Sequence, residues 1–197
     1  METLKLKSGD EKKAAEILKN GGIVAIPTET VYGLAASAFD ENAVKKIFIA
    51  KGRPSDNPLI VHIADLNEIK KVACEFGEKA KKLAEKFWPG PLTMILPKNK
   101  DIPLCVTAGM PSVAVRFPSN KIANKIIKLT GVPLVAPSAN LSGSPSPTRF
   151  RHVLEDLDGR VDAIVDGGDC DFGVESTVIS MVCKVPRLLR PGKITPE

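Results

Sequence analysis

Histidine is scarce: only His62 and His152 occur in 197 residues, and the four cysteines (Cys74, Cys105, Cys170, Cys183) stand far apart without a C-x-x-C pair. Zinc needs three or four such ligands at close spacing, so no metal site is expected and the thiols read as reduced and partly buried. Aromatic residues are few as well, with seven Phe, one Tyr and one Trp, a poor supply for platforms that stack single-stranded bases. No apolar run is long enough to cross a membrane. The longest stretch without charge, Leu129 to Thr148, is broken by four prolines and four serines. The leading METLKLKSGDEKK alternates charge with single apolar residues and has no secretory apolar core. The expectation is a soluble cytoplasmic protein, with residues 1–197 as one domain.

Familiar catalytic loops are missing too. There is no G-x-x-x-x-G-K-[ST] and no G-x-G-x-x-G, so a bound nucleotide would not rest on a P-loop or a Rossmann turn. No G-x-S-x-G occurs either, which removes the usual serine nucleophile elbow. Two histidines offer little general-base capacity.

What remains is an ordinary globular composition, 43% hydrophobic and 26% charged, which argues against disorder. Lys and Arg total 28 against 23 Asp and Glu, and the net +5 favours anionic partners such as nucleotides, phosphates or RNA without choosing among them. Lysines in stretches such as Glu78 to Lys86 read as a solvated helix face.

Periodicity and punctuation predict the elements. Ser8 with Glu11 forms a capping-box pattern before a helix that stops at Gly21-Gly22. A strand follows at Ile23–Pro27. Asp40 caps a second helix, with Val44, Ile47 and Phe48 on one face, ending near Gly52-Arg53-Pro54. In the strand Leu59–Ile63, a period of two sets Leu59, Val61 and Ile63 against Ile60 and His62. Helical spacing from Leu66 to Trp88 breaks near Gly77. Further strands are expected at Leu92–Leu96, Ser112–Phe117, Pro133–Ala136, Val161–Val165, Ser176–Val182 and Pro186–Leu189, with helices near Asn120–Leu129 and Thr148–Leu157. Alternation early and clustered strands late predict an α/β fold with a mixed sheet.

Polar residues gather where strands end. Thr28-Glu29-Thr30 lies between Pro27 and Gly33, and suits either a ligand edge or a plain strand-to-helix turn. Lys51 and Arg53 stand two apart in a loop stiffened by Gly52, Pro54 and Pro58; they could grip phosphates, or merely complement the end of a helix. Arg116 lies in an otherwise apolar strand, where an unpaired charge is costly. Either an acidic residue of the chain or a ligand carboxylate must face it. Ser138 and Asn140 form a tight loop that fits phosphate or base edges but equally Asx and Ser turns. Ser176 and Arg190 complete the set. Together they describe a site that works by positioning and charge.

The segments PTETVYGL (27–34), KGRPSDN (51–57) with PLIVHI after it, PSVAVRFP (111–118) and PSANLSG (137–143) resemble the YrdC-type family, the L-threonylcarbamoyladenylate synthases. The likeness runs from about Asp10 to Gly192. It implies a twisted, open mixed sheet surrounded by helices, with a large positively lined concave cavity. It also implies a reaction joining L-threonine, bicarbonate (or carbon dioxide) and ATP into threonylcarbamoyl-AMP and pyrophosphate, with Mg2+ accompanying ATP. That product would then serve threonylcarbamoyladenosine formation in tRNA through downstream transfer proteins. By motif, Thr30, His62, Arg116 and Ser176 should meet threonine. Lys51, Arg53, Asn57, Ser138, Asn140 and Arg190 should surround ATP, with Thr107 and Ser146 as further nucleotide-side candidates. Lys51, Arg53, Ser138 and Asn140 carry the K-x-R and S-x-N elements and are the expected catalytic set. The extension that longer relatives carry beyond this domain is not expected here. Two rivals stand beside this reading: an RNA-binding module with the same basic concavity and no catalysis, and a carbamoyltransferase relative acting on carbamoyl-adenylate.

Overall fold

Strand β1 (Leu4–Lys7) leads into helix α1 (Glu11–Lys19), and β2 (Val24–Ile26) and β3 (Gly33–Ser37) follow before α2 (Glu41–Lys51). Next come β4 (Ile60–His62), α3 (Ile69–Val72), α4 (Glu78–Phe87), β5 (Leu92–Pro97), α5 (Leu104–Thr107) and β6 (Ser112–Arg116). The chain continues with α6 (Lys121–Thr130), β7 (Leu134–Val135), α7 (Phe150–Leu157), β8 (Ala163–Asp166), β9 (Thr177–Ser180) and β10 (Arg187–Arg190). This computed structural model describes residues 2–195, so Met1, Pro196 and Glu197 of the expected 1–197 domain lie outside the described residues.

The helix ends follow local chemistry. Asp40 Oδ1 accepts the backbone N–H groups of Asn42 and Ala43 at 2.9 and 3.1 Å, and α2 stops where Gly52 turns left-handed at φ 58°. Asn120 and the left-handed Gly131 bracket α6 in the same way. The capping box expected at Ser8 and Glu11 does not form. Asp10 is the N-cap and turns its carboxylate back to the Lys7 N–H at 2.9 Å, while Glu11 is drawn inward to Lys125 at 2.9 Å. Strand β1 is the cause, because it ends at Lys7 and uses Asp10 to close its turn. The long helical stretch also divides further than its spacing predicts: Ala73 bridges to Lys98 as extended backbone, which separates α3 from α4.

The strands form one ten-stranded sheet in the order β1-β8-β2-β3-β7-β4-β6-β5-β9-β10, so β1 and β10 are its open edges. Pairings β1–β8, β2–β8, β4–β6 and β5–β9 are parallel and the others antiparallel, the mixed sheet the pattern predicts. Strand β3 corrects the reading of Thr28–Tyr32 as a strand-to-helix turn. It pairs antiparallel with β2, making that segment a loop between two strands. Its sequence, GLAAS, lacks β-branched residues; burial rather than propensity makes it a strand.

Paired residues share a sheet face. On one face Leu34, Val61, Met94 and Val115 pack beneath α2, α4 and α7 in the larger core. On the other, Leu6, Val24, Leu134, Ala163 and Val165 pack beneath α1 and α6, and this second core draws on strands β1, β8, β2, β3 and β7. Among the described residues it takes nothing from β4, β6, β5, β9 or β10. The helical cover of that face therefore stops halfway across the sheet. Met94 is fully buried on the covered face, and Met94→Ala should cost about 2–5 kcal/mol in urea unfolding. Ile49→Ala, at a position 77% exposed, should stay within about 0.5 kcal/mol. Equal midpoints for the two variants would contradict this division of the core.

Candidate active site

The uncovered half of the sheet carries a row of side chains set by register. His62 pairs with Arg116, Arg116 with Thr93, and Thr93 with Val178. These residues point to the face opposite Val61 and Met94, where a cavity of about 350 Å3 opens. Thr30, His62, Arg116 and Ser176 line it together with Arg53, Asn57, Ser138 and Arg190. Eight of the expected residues thus meet in one hollow, although they come from separate loops and strands.

Arg116 sits at the bottom, 4% exposed. Its Nη1 donates to Thr30 Oγ1 at 2.8 Å, and its Nη2 lies 2.6 Å from Oε1 of Glu29, which is 1% exposed. The alternative left open by the sequence is thereby decided in favour of an acidic residue of the chain, yet not completely. The ion pair is close but poorly directed, so Nε and Nη2 of Arg116 and both Glu29 oxygens are buried without a hydrogen-bond partner. The Nε/Nη2 edge is thus enclosed beside Glu29 rather than open to the hollow.

Thr30 is fixed by its own turn. Thr28 Oγ1 donates to the Val31 carbonyl at 2.6 Å and accepts from the backbone N–H of Thr30 and Val31. With the Thr28 proton committed, the Thr30 hydroxyl donates to Thr28 Oγ1, 3.0 Å away. Having accepted from Arg116, Thr30 keeps one lone pair for a ligand. His62 Nδ1 lies 3.2 Å from the Ile60 carbonyl. Burial, then the Arg116 charge, push the His62 pKa down to about 3, so the imidazole is neutral. Assigning the proton to Nδ1 on the strength of that contact leaves Nε2 as an acceptor.

The opposite wall is tied down by hydroxyls and carbonyls. Ser176 Oγ lies 2.7 Å from Thr93 Oγ1, and Arg190 forks onto the Ser176 carbonyl through Nε and Nη2 at 3.0 and 2.9 Å. A Cβ on Gly192 would fall 2.5 Å from both the Glu175 carbonyl and the Thr177 nitrogen. Only glycine lets the segment after β10 lie so close. Ser146 is outside the lining, but it donates to Glu175 Oε1 at 2.6 Å, and this bond holds the Glu175 carboxyl below the usual range.

Lys51, Asn140 and Thr107 also lie outside the lining. Lys51 ends α2 buried, and its ammonium donates to the carbonyls of Ser138 and Asn140, the latter at 2.6 Å. The Ser142 N–H returns to the Lys51 carbonyl at 2.8 Å. Lys51 therefore holds the S-x-N loop from behind, and burial, with the Arg53 charge, pushes its pKa down to about 8. Asn140 donates to the Leu141 and Ser144 carbonyls, both at 2.7 Å, and shapes the same loop. Thr107 is buried at the end of α5, its hydroxyl toward Leu104. Sequence reasoning placed Glu29 at a candidate ligand edge rather than against Arg116, and it did not single out Thr93. Thr93 could be found only from its register with Arg116.

Among the described residues no three His, Cys, Asp or Glu side chains form a metal-binding group, and no helix is long and apolar enough to cross a membrane.

A sequence model of the Sua5, YciO and YrdC family, described as telomere recombination, matches residues 16–192. A threonylcarbamoyl-AMP synthase of Pyrococcus abyssi is 54% identical over 184 residues, 93% of this chain and 54% of that protein. One of Bacillus subtilis is 55% identical over 186 residues, 94% of this chain and 54% of that protein. The chain spans about half the length of these curated relatives. The crystal structure of P. abyssi Sua5 complexed with L-threonine is similar at a TM-score of 0.94 and 50% identity, covering 98% of this chain and 58% of that one.

The neutral His62 generates a test. A histidine whose folded pKa lies far below the unfolded value of about 6.5 contributes stability that is present above that value and lost as pH falls. Between pH 7 and 4.5 the loss should be about 2–3 kcal/mol. Urea unfolding of His62→Gln should show an acid-side loss smaller by that amount. An unchanged loss would mean that His62 is charged in the folded protein.

Proposed function

Because this chain belongs to the Sua5, YciO and YrdC family, we propose that its cavity joins L-threonine, bicarbonate and ATP into threonylcarbamoyl-AMP and pyrophosphate. The observation that carries this reading is the convergence of Arg116, Arg53 and Arg190 on one hollow whose described lining has Glu175 as its one carboxylate. A carboxylate matches a guanidinium, and a triphosphate matches the two further cations. In this reading the threonine carboxylate forks onto Arg116. Thr30 and the His62 Nε2 acceptor take its remaining N–H or O–H protons, and Ser176 closes the pocket.

ATP lies toward Arg53, Asn57, Ser138 and Arg190, with Thr107 and Ser146 as outer candidates. Lys51 and Asn140 act on the nucleotide through the Ser138 loop that they hold. The threonine nitrogen bonds to the bicarbonate carbon as water leaves, and an oxygen of the resulting carbamate attacks the α-phosphorus. The new O–P bond forms as the bond to the bridging oxygen breaks, and the electron pair leaves with pyrophosphate. No side chain becomes covalently attached. The obstacle is the crowding of anions, and fixed guanidinium groups address it directly. Mg2+ enters as part of the ATP substrate, and no step is assigned to it. The same reading takes residues 1–197 as one YrdC-like domain working in the cytoplasm. Its product passes to proteins that transfer the threonylcarbamoyl group to tRNA.

Pyrophosphate release should require all three substrates, and omission of any one should return it to background. Arg53→Ala should lower the rate at saturating substrate by about 100- to 1,000-fold. Release that ignores threonine or bicarbonate would overturn the reading. No release at all, with tight RNA binding, would favour the RNA-binding alternative.

A further inference from the structure

We propose that Glu29 is a positioning residue, holding the Arg116 guanidinium in the orientation that meets the carboxylate of an α-amino acid. The inference rests on the reading of this cavity as an amino-acid site. Glu29 does not line the cavity, so it acts through Arg116 rather than on a ligand. It stands beside Thr30, and these consecutive residues grip the two ends of the guanidinium, Nη2 at 2.6 Å and Nη1 at 2.8 Å. The backbone that carries them is fixed on both sides. The Thr28 turn precedes Glu29, while the N–H groups of Phe172 and Gly173 donate to the Glu29 and Thr30 carbonyls at 3.0 and 3.1 Å.

The pair is ill-suited to a purely structural task. Both Glu29 oxygens and two Arg116 nitrogens are buried without directed hydrogen bonds. Such orphaned groups in a core call for an explanation beyond packing. A buried ion pair is, moreover, weak support for stability, since apolar residues of the same volume often do as well.

Charge gives the explanation. Alone, Arg116 would be a free cation beside Arg53 and Arg190, with Glu175 the one carboxylate in the described lining. Balanced by Glu29 at Nη2 and held by Thr30 at Nη1, it keeps a fixed orientation and attracts an anion weakly at long range. Glu29 thus sets the orientation of the guanidinium that lines the hollow.

The test titrates L-threonine and, separately, ATP into the full chain carrying Glu29→Gln or Glu29→Asp, and follows the 15N signal of the Arg116 Nε–H. Glu29→Gln should weaken L-threonine at least tenfold, leave ATP affinity within threefold, and broaden the Arg116 signal. Glu29→Asp should recover part of the threonine affinity. Threonine affinity within threefold of the wild type in Glu29→Gln would overturn the proposal. So would an equal loss of both ligands with a lowered melting temperature, since Glu29 would then merely hold the fold. If the wild-type chain bound no L-threonine, the amino-acid reading would fall, and the Arg116 signal alone would judge Glu29: a sharp signal in Glu29→Gln overturns the proposal.

Discussion

A guanidinium buried on the face of a sheet has to be balanced from both sides, and much of this molecule is arranged around that need. Arg116 ends β6 in the middle of the sheet order, between His62 of β4 and Thr93 of β5. Burial keeps His62 neutral and the Arg116 charge adds to it, while the Arg116 donors set the direction of the Thr30 hydroxyl. It also requires a buried carboxylate that the chain supplies only from the loop between β2 and β3. That loop is in turn held by the 172–173 backbone.

The hollow above Arg116 exists because the helical cover on that face is incomplete. Helices α1 and α6 seal strands β1, β8, β2, β3 and β7, and the remaining half of the face is left to side chains and loops. The opposite face is packed from β8 to β5, with Ile179 of β9 against it, so the open half rests on a packed floor. The motif loops then converge on the hollow from several directions. The Lys51 ammonium ties the end of α2 to the 138–142 loop, and Gly192 lets the chain after β10 lie against Glu175–Thr177.

Much of this was legible in the sequence where the cause is local. Asp40 and Gly52 bound α2 through capping chemistry, and the alternation around His62 separates it from Val61. Arg116 in an apolar strand already implied a buried partner. What could not be read depends on residues distant in sequence. The partner, Glu29, sits in a motif that the sequence allows as a ligand edge or as an ordinary turn. Strand β3 is built of small residues that form a strand only because β2 and β7 flank it. Lys51 stands one residue from the loop that lines the cavity, yet packing turns its ammonium to the Ser138 and Asn140 carbonyls. Spacing along the chain cannot report that direction.

The account turns on Arg116 meeting a carboxylate, and one comparison isolates it. L-threonine and L-threoninol share the amine, the side-chain hydroxyl and the methyl group, and differ in the group that should face Arg116. Calorimetric titration of both into the chain should give saturable binding of L-threonine and at least a hundredfold weaker binding of L-threoninol. Equal affinity for the two would mean that Arg116 does not read a carboxylate, and would contradict the account.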